Sequence, residues 1–171
     1  MIGRSNLSSA SRTHMAVAAA CLAAISFAAP LHATPSSLFV GTVQWQGSFA
    51  PLNLNTRGND FDVKMKTKDD FDLFVVRNAI GIGGTSGWHT HPGPSLVTVT
   101  LGEITLYDAA LCTPRHLGVG ETFIDEGGDH VHLIRNESGA PAEASAVQIM
   151  PRGAARRVDA ARPNNCAADT Q

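Results

Sequence analysis

Two pairs of histidines have the residue type and spacing of a metal site. His89 and His91 are two positions apart in segment 87–94, and His130 and His132 repeat that spacing much later in the chain. In an extended strand, such residues point to one face and lie about 6.6 Å apart. Imidazole nitrogens bind metal ions at about 2.0–2.1 Å, and neighbouring strands lie about 4.8 Å apart. The spacing therefore predicts a metal site made by histidines of two strands.

The sequence around the histidines is typical of strands. A glycine precedes the first pair and Pro-Gly-Pro follows it at 92–94, which disfavours a helix. Segments 96–101 and 103–108 alternate in polarity around Gly102, as in a hairpin. About nine short strands of this kind, punctuated by Gly and Pro, indicate an all-β sandwich or barrel.

The first 33 residues have the pattern of a secretory signal peptide. Arg4 and Arg12 precede an apolar run at 15–29, and Ala33 suits the last position before a cleavage site. The run is too short for a stable membrane span. We therefore expect an exported protein, periplasmic or secreted; the alternative is a membrane-anchoring N-terminal helix.

The remaining chain divides into N-terminal strands at 34–70, a barrel at 71–151 and a tail at 152–171. Segment 38–47 is expected to be an edge strand. Segment 48–59, rich in Asn, Gly and Pro, is expected to be a loop.

Cleavage after residue 33 would leave two cysteines, Cys112 and Cys166. An even count in an exported chain favours a disulfide, which would tie the tail to the barrel. Two free thiols are the alternative, and metal ligation is disfavoured by the distance of both cysteines from the histidine pairs.

The charge of the mature chain argues against nucleic acid as a partner. Eleven basic residues face fifteen acidic ones, a net charge of −4 with neutral histidines, whereas phosphate binding needs clustered Lys and Arg. The basic cluster of the tail is interpreted as solvated surface; its members are Arg152, Arg156, Arg157 and Arg162.

In its two His-x-His segments and the glycines around them, the chain resembles the cupin superfamily, whose members are small jelly-roll barrels that hold a metal in the barrel mouth. The first cupin motif has a Gly, then His-x-His, then a Glu and a closing Gly. Gly83, His89, His91 and Gly102 fall in register, while the Glu position is Ser95.

The second cupin motif runs from a Gly through a Pro-x-Gly corner to a His, with an Asn four positions later. Gly120, Gly128, His132 and Asn136 match this pattern, with Glu126 in the place of the Pro and one extra residue before the His. The resemblance implies a cupin-type jelly-roll barrel.

Carried over by position, the resemblance makes His89, His91 and His132 the metal ligands, with His130 as an alternative or additional ligand. Because Ser95 replaces the usual Glu, the implied site has three imidazoles and open positions. Such a set suits Fe, Zn, Cu or Ni better than Mn. Three-histidine thiol dioxygenases of the same superfamily make Fe(II) with O₂ one candidate.

Two kinds of function follow from the resemblance. The protein is either an enzyme acting on a small molecule, as an oxidoreductase or isomerase, or a non-catalytic module that binds a metal or ligand. No catalytic residue is assigned; Glu103, Glu143 and Tyr107 are candidate bases. Cupins commonly form homodimers through an edge strand, and segment 38–47 could serve.

Other polar and aromatic residues receive plainer interpretations. Trp88 is expected in the barrel wall, and Tyr107 is expected to be buried with a backbone partner. The acidic residues Asp125, Glu126 and Asp129 are expected to solvate a corner, with orientation of a ligand histidine as the alternative.

Overall fold

A computed structural model describes residues 33–58 and 60–166 of the 171-residue chain. Apart from Ala33, the expected signal peptide lies outside these residues. The described residues form strands and no helix, so they include no helix suited to crossing a membrane. The strands are β1 Ser37–Phe49, β2 Asn53–Arg57, β3 Asp62–Lys66, β4 Phe71–Thr85, β5 His89–Thr90, β6 Ser95–Leu101, β7 Glu103–Asp108, β8 Arg115–Gly118, β9 Thr122–Asp125, β10 His132–Arg135, β11 Ala142–Pro151 and β12 Val158–Asp159.

The strands from β4 to β11 pair as one long hairpin rolled into a barrel. β4 pairs with β11, β5 with β10, β6 with β9, and β7 with β8, all antiparallel. Rolling adds the pairs β6 with β11 and β7 with β10. This nested pairing is that of a jelly roll, so the predicted cupin-type fold class is confirmed.

Alternation along the strands builds the barrel interior. In β6, Ser95, Val97 and Val99 are buried while the residues between them are exposed, as the period of a half-buried strand requires. On the neighbouring strand β11, the inward residues Ala144 and Ala146 are small. Small side chains on this wall leave space inside the barrel.

β1 is an edge strand, as its sequence predicts. It pairs along its length with β4 and with no other described strand. Its side chains include exposed apolar residues; Trp45 is 75% exposed and Leu38 is 65% exposed. Homodimerisation through this strand stays a prediction.

The expected loop at 48–59 is wrong in part. β1 extends to Phe49, and residues 53–57 form β2, which pairs with β3 as a separate two-stranded sheet. The polar sequence of β2 buries nothing, and every one of its residues is exposed. Hydrophobic alternation, the signal used to find strands, is therefore weak in β2.

The end of the described C-terminal tail, at Cys166, packs on the outside of the barrel. There Cys112 and Cys166 form a disulfide with a Cα–Cα distance of 5.1 Å. Cys166 belongs to a second apolar cluster with Trp88, Tyr107 and Leu133. The wall that carries β5 and β10 is consequently covered on its outer face.

Candidate metal centre

Three histidine rings converge inside the barrel. His89, His91 and His132 have potential ligand atoms that all lie within 4.8 Å of one another. Their ring centroids are 4.3 Å apart for His89 and His132, 4.9 Å for His89 and His91, and 5.5 Å for His91 and His132. All three rings are buried. The meeting of rings from two distant segments is what the paired His-x-His spacing predicts.

The pairing of β5 with β10 positions these rings. His89 and His132 are direct partners in that ladder. Their chain neighbours Trp88 and Leu133 are buried in the outer apolar cluster. Because successive residues point to opposite faces, packing on the outer side fixes the histidines on the inner side.

Backbone carbonyls orient two of the three rings. Nδ1 of His89 lies 2.9 Å from the Gly87 carbonyl, and Nδ1 of His91 contacts the Arg156 carbonyl. A carbonyl only accepts hydrogen bonds, so each Nδ1 carries the proton and donates it. The Nε2 lone pair of each ring is then available to a metal ion.

Burial keeps the clustered rings in the neutral form that metal binding requires. Burial, with the nearby Arg157 charge and His91, lowers the pKa of His89 to about 3. Burial also lowers the pKa of His132 to about 3, and lowers the pKa of His91. Neutral imidazoles are the form that coordinates metals.

Asp125 is a buried carboxylate beside the cluster. Its Oδ1 lies 3.5 Å from Nδ1 of His132 and accepts a hydrogen bond from the Gly127 amide. Its Oδ2 has no hydrogen-bond partner and lies 3.7 Å from Nε2 of His91. The expectation that Asp125 solvates a corner is therefore wrong, because the residue is 1% exposed and faces the histidines.

His130 lies outside the three-ring cluster. Its two ring nitrogens are engaged by the carboxylates of Asp108 and Asp125. Burial opposes the charged form of His130, but the hydrogen bonds to Asp125 and Asp108 outweigh that effect and raise its pKa. His130, Asp125 and His132 form a second group of potential ligand atoms, which shares His132 with the first.

A cavity of about 230 Å³ opens onto the three rings. Its wall includes apolar side chains such as Phe123 and Ile134, and polar ones such as Asn78 and Gln148. The three histidines predicted from the His-x-His spacing make up only part of this lining. Gln148 was not predicted as a site residue, because it occupies an inward position of β11 that the sequence pattern does not distinguish from the core positions beside it.

The tail contributes to the cavity as well. Arg156 and Arg157 are among its lining residues, so the interpretation of the whole basic cluster as solvated surface is wrong for these two. Arg152 instead makes an exposed ion pair with Asp70. Only the folded path of the tail distinguishes the three arginines.

The candidate bases Glu103, Glu143 and Tyr107 do not line the cavity. Glu143 pairs with Arg77 at the surface. Tyr107 is buried, as expected, but its hydroxyl donates to the carboxylate of Glu137 rather than to a backbone carbonyl. At the position of the usual Glu ligand, Ser95 is buried and its hydroxyl accepts a hydrogen bond from Gln148 at 3.3 Å.

Several solved structures are similar to this chain, although no protein-family profile and no curated protein matches it. A double-stranded β-helix domain protein from Klebsiella pneumoniae is 22% identical over 65% of this chain and 84% of its own, with a TM-score of 0.44. An RmlC-like cupin from Shewanella frigidimarina is 16% identical over 47% of this chain and 68% of its own, with a TM-score of 0.41.

A recombinant oxalate oxidase in complex with glycolate is 23% identical over 44% of this chain, with a TM-score of 0.41. The match spans only 41% of the oxalate oxidase chain. All three TM-scores are below 0.5, and the nested strand pairing identifies the fold independently of these matches.

Proposed function

We propose that this cupin-fold protein binds a divalent transition-metal ion through His89, His91 and His132. The observation that carries the proposal is the convergence of three buried, neutral imidazoles whose ligand atoms lie within 4.8 Å of one another. Burying three polar rings together is unfavourable unless their nitrogens are satisfied, and a shared ion satisfies them.

The unpartnered polar atoms nearby fit the same ion. Nδ1 of His132 and Oδ2 of Asp125 are buried without hydrogen-bond partners. An ion bound by Nε2 of His132 would strengthen the donor at Nδ1, which lies closest to Asp125. Asp125 also supplies a carboxylate that offsets part of the charge of the ion, a task that Ser95 is unable to perform.

The donor set favours Fe, Zn, Cu or Ni over Mn. Imidazole is a good ligand for the first four, whereas Mn prefers oxygen ligands. When bound, such an ion supplies a Lewis acid and, for Fe or Cu, a redox couple. Around it, His89 and His91 are held in orientation by backbone carbonyls.

We further propose that the protein acts on a small molecule as an oxidoreductase or isomerase. The cavity beside the three rings is the support for this activity. The alternative is a non-catalytic metal- or ligand-binding module. It is favoured by the positions of Glu103, Glu143 and Tyr107, none of which lines the cavity.

Export is part of the same proposal. The disulfide between Cys112 and Cys166 is compatible with an oxidising compartment, the periplasm or the cell exterior.

Elemental analysis of the full purified chain tests the metal centre. We expect one ion per chain in the wild type and most of it lost in His89→Ala and in His132→Ala. His116→Ala is the matched control, since His116 is an exposed histidine of β8. Equal metal content in all four proteins would contradict the site. Turnover assays with a small-acid and thiol panel then separate the enzyme from the binding module.

A further inference from the structure

The C-terminal tail brings two guanidinium groups to the cavity of the proposed metal centre. Arg156 and Arg157 both line it. The Arg156 carbonyl is held by His91, and Asp159 lies opposite His89 in the ladder of β12 with β5. These contacts make the two arginines part of the site, since the backbone that carries them is bonded to the segment that carries the histidines.

The charges of the lining residues are unbalanced in favour of cations. Among the residues that line the cavity, two arginines face one carboxylate, Asp125. Any divalent ion at the histidines would add to the positive charge. A cavity with this balance favours a small ligand that carries negative charge.

Arg156 is the better placed of the two to meet a ligand. One of its guanidinium N–H groups donates to the side-chain carbonyl of Gln148 at 2.9 Å, and its guanidinium lies over the ring of Phe74. Both partners are neutral, and within residues 33–58 and 60–166 Arg156 has no ion pair. Arg157, by contrast, is paired with Asp159.

The remaining walls limit the size and character of the anion. The cavity volume of about 230 Å³ suits a molecule of a few carbon atoms, and Phe39, Val97 and Phe123 give it apolar sides. A guanidinium presents a planar pair of donors that matches the two oxygens of a carboxylate. An apolar wall suits a short carbon chain better than it suits a fully hydrated inorganic ion.

We propose that the cavity binds a small organic carboxylate, with Arg156 as the principal carboxylate-binding residue and Arg157 in support. This substrate class rests on the proposed metal centre for its functional meaning. The carboxylate would be held at the tail side of the cavity, which leaves the rest of the molecule toward the histidines.

Calorimetric titration of the full chain with propionate, propionamide and inorganic phosphate tests the proposal. Propionamide has the shape of propionate without its charge, and phosphate has charge without a carbon chain. We expect propionate to bind at least tenfold more tightly than either. Equal binding of propionate and propionamide, tighter binding of phosphate, or no binding of millimolar propionate would overturn the proposal.

Three variants assign the effect to the tail. Arg156→Gln is expected to weaken propionate binding at least tenfold, and Arg156→Lys to weaken it less, because Lys keeps the charge but not the planar fork. Arg152→Gln, in the same tail but outside the cavity, is expected to bind propionate like the wild type. Equal affinities of Arg156→Gln and Arg152→Gln would overturn the assignment. Thermal unfolding confirms that each variant folds.

Titrating both metal-loaded and chelator-treated protein separates the two proposals. If the protein takes up no metal but still binds propionate through Arg156, the metal centre fails and the carboxylate site stands. If metal uptake depends on the histidines but propionate and propionamide bind alike, the metal centre stands and the carboxylate site fails.

Discussion

At the scale of single residues, the histidines of the cluster are held in an environment that resists their protonation. His89 is 4% exposed and His132 is 2% exposed, and the pKa of each is lowered to about 3. In the unfolded chain both regain a value near 6.5. Folding therefore excludes protons from these rings over a wide range of pH.

This difference predicts how the stability of the metal-free protein depends on pH. Between about pH 3 and 6.5 the unfolded chain binds more protons at these rings, so stability rises with pH and levels off above 6.5. Each ring contributes up to about 1.4 kcal/mol per pH unit in that range. Urea unfolding of chelator-treated protein at several pH values measures the slope. His89→Gln should have a smaller slope, and an unchanged slope would contradict the assignment.

The carboxylate of Asp125 yields a second prediction at this scale. Asp125→Asn keeps the shape of the side chain and an oxygen for the Gly127 amide, but removes the negative charge beside His91 and His132. We expect metal affinity to fall roughly 10- to 100-fold, as for other residues that support metal ligands. Competition titration with a chelator measures the affinity. Glu126→Gln, at an exposed neighbour, is the control and should bind metal like the wild type.

The predictability of these residues depends on how local their geometry is. His89 and His91 were predictable because extended backbone places residues two positions apart on one face. For Asp125, the sequence offered orientation of a ligand histidine only as an alternative, because its approach to His132 requires the corner after β9 to fold back. The sequence identified Arg156 only as a member of a basic cluster, since its position at the cavity depends on contacts with distant parts of the chain.

At the scale of elements, the corner between β9 and β10 sets the distance between the histidine segments. Gly127 has φ +74°, and a Cβ there would lie 2.5 Å from the Gly93 carbonyl oxygen and 2.9 Å from that of His91. The Gly128 amide donates to the same His91 carbonyl at 2.7 Å. The corner thus packs directly on the backbone of the first His-x-His segment.

Gly127→Ala is expected to disturb both stability and metal binding, because backbone atoms have to move to admit the methyl group. Gly128→Ala is the matched control: its φ is +63°, and nothing lies within 4 Å of its Cβ position. The control should cost about 1 kcal/mol for the left-handed conformation alone. Gly127→Ala should cost about 1–3 kcal/mol more. Chemical denaturation compares them, and equal losses would contradict this account.

The jelly-roll fold class was predictable through the resemblance of the two His-x-His motifs to cupins, but the strand order was not. The hairpin expected around Gly102 is wrong, because β6 pairs with β9 and β11 whereas β7 pairs with β8 and β10. The hairpin of β2 and β3 was not predictable either, because its residues pair with each other without packing on the core. Alternation of apolar and polar residues indicates a half-buried strand, so a strand without buried residues shows little alternation in its sequence.

At the scale of the whole molecule, the tail ties together two sides of the site. It supplies the carbonyl that orients His91, a strand beside β5, and the half-cystine that joins the loop after β7. The disulfide closes 54 residues of chain. Its removal frees the end of the segment that carries Arg156.

The variant with Cys112→Ser and Cys166→Ser should lose stability and ligand affinity together. A loop of this length is worth about 4 kcal/mol in the chain-entropy model. Urea unfolding measures the stability, and propionate titration measures the carboxylate site. Retention of wild-type values for both would show that β12 alone holds the tail. Reduction of the wild type with dithiothreitol should reproduce the effect of the variant.

The two tryptophans stand in opposite surroundings. Trp88 is fully buried next to His89 in the chain, while Trp45 is 75% exposed on β1. Acrylamide in solution should quench the red-shifted emission of Trp45 and leave a blue-shifted remainder from Trp88. A paramagnetic ion entering the barrel should dim that protected remainder first. The fluorescence of buried Trp88 therefore reports on the site, and the fluorescence of exposed Trp45 serves as an internal reference in the same chain.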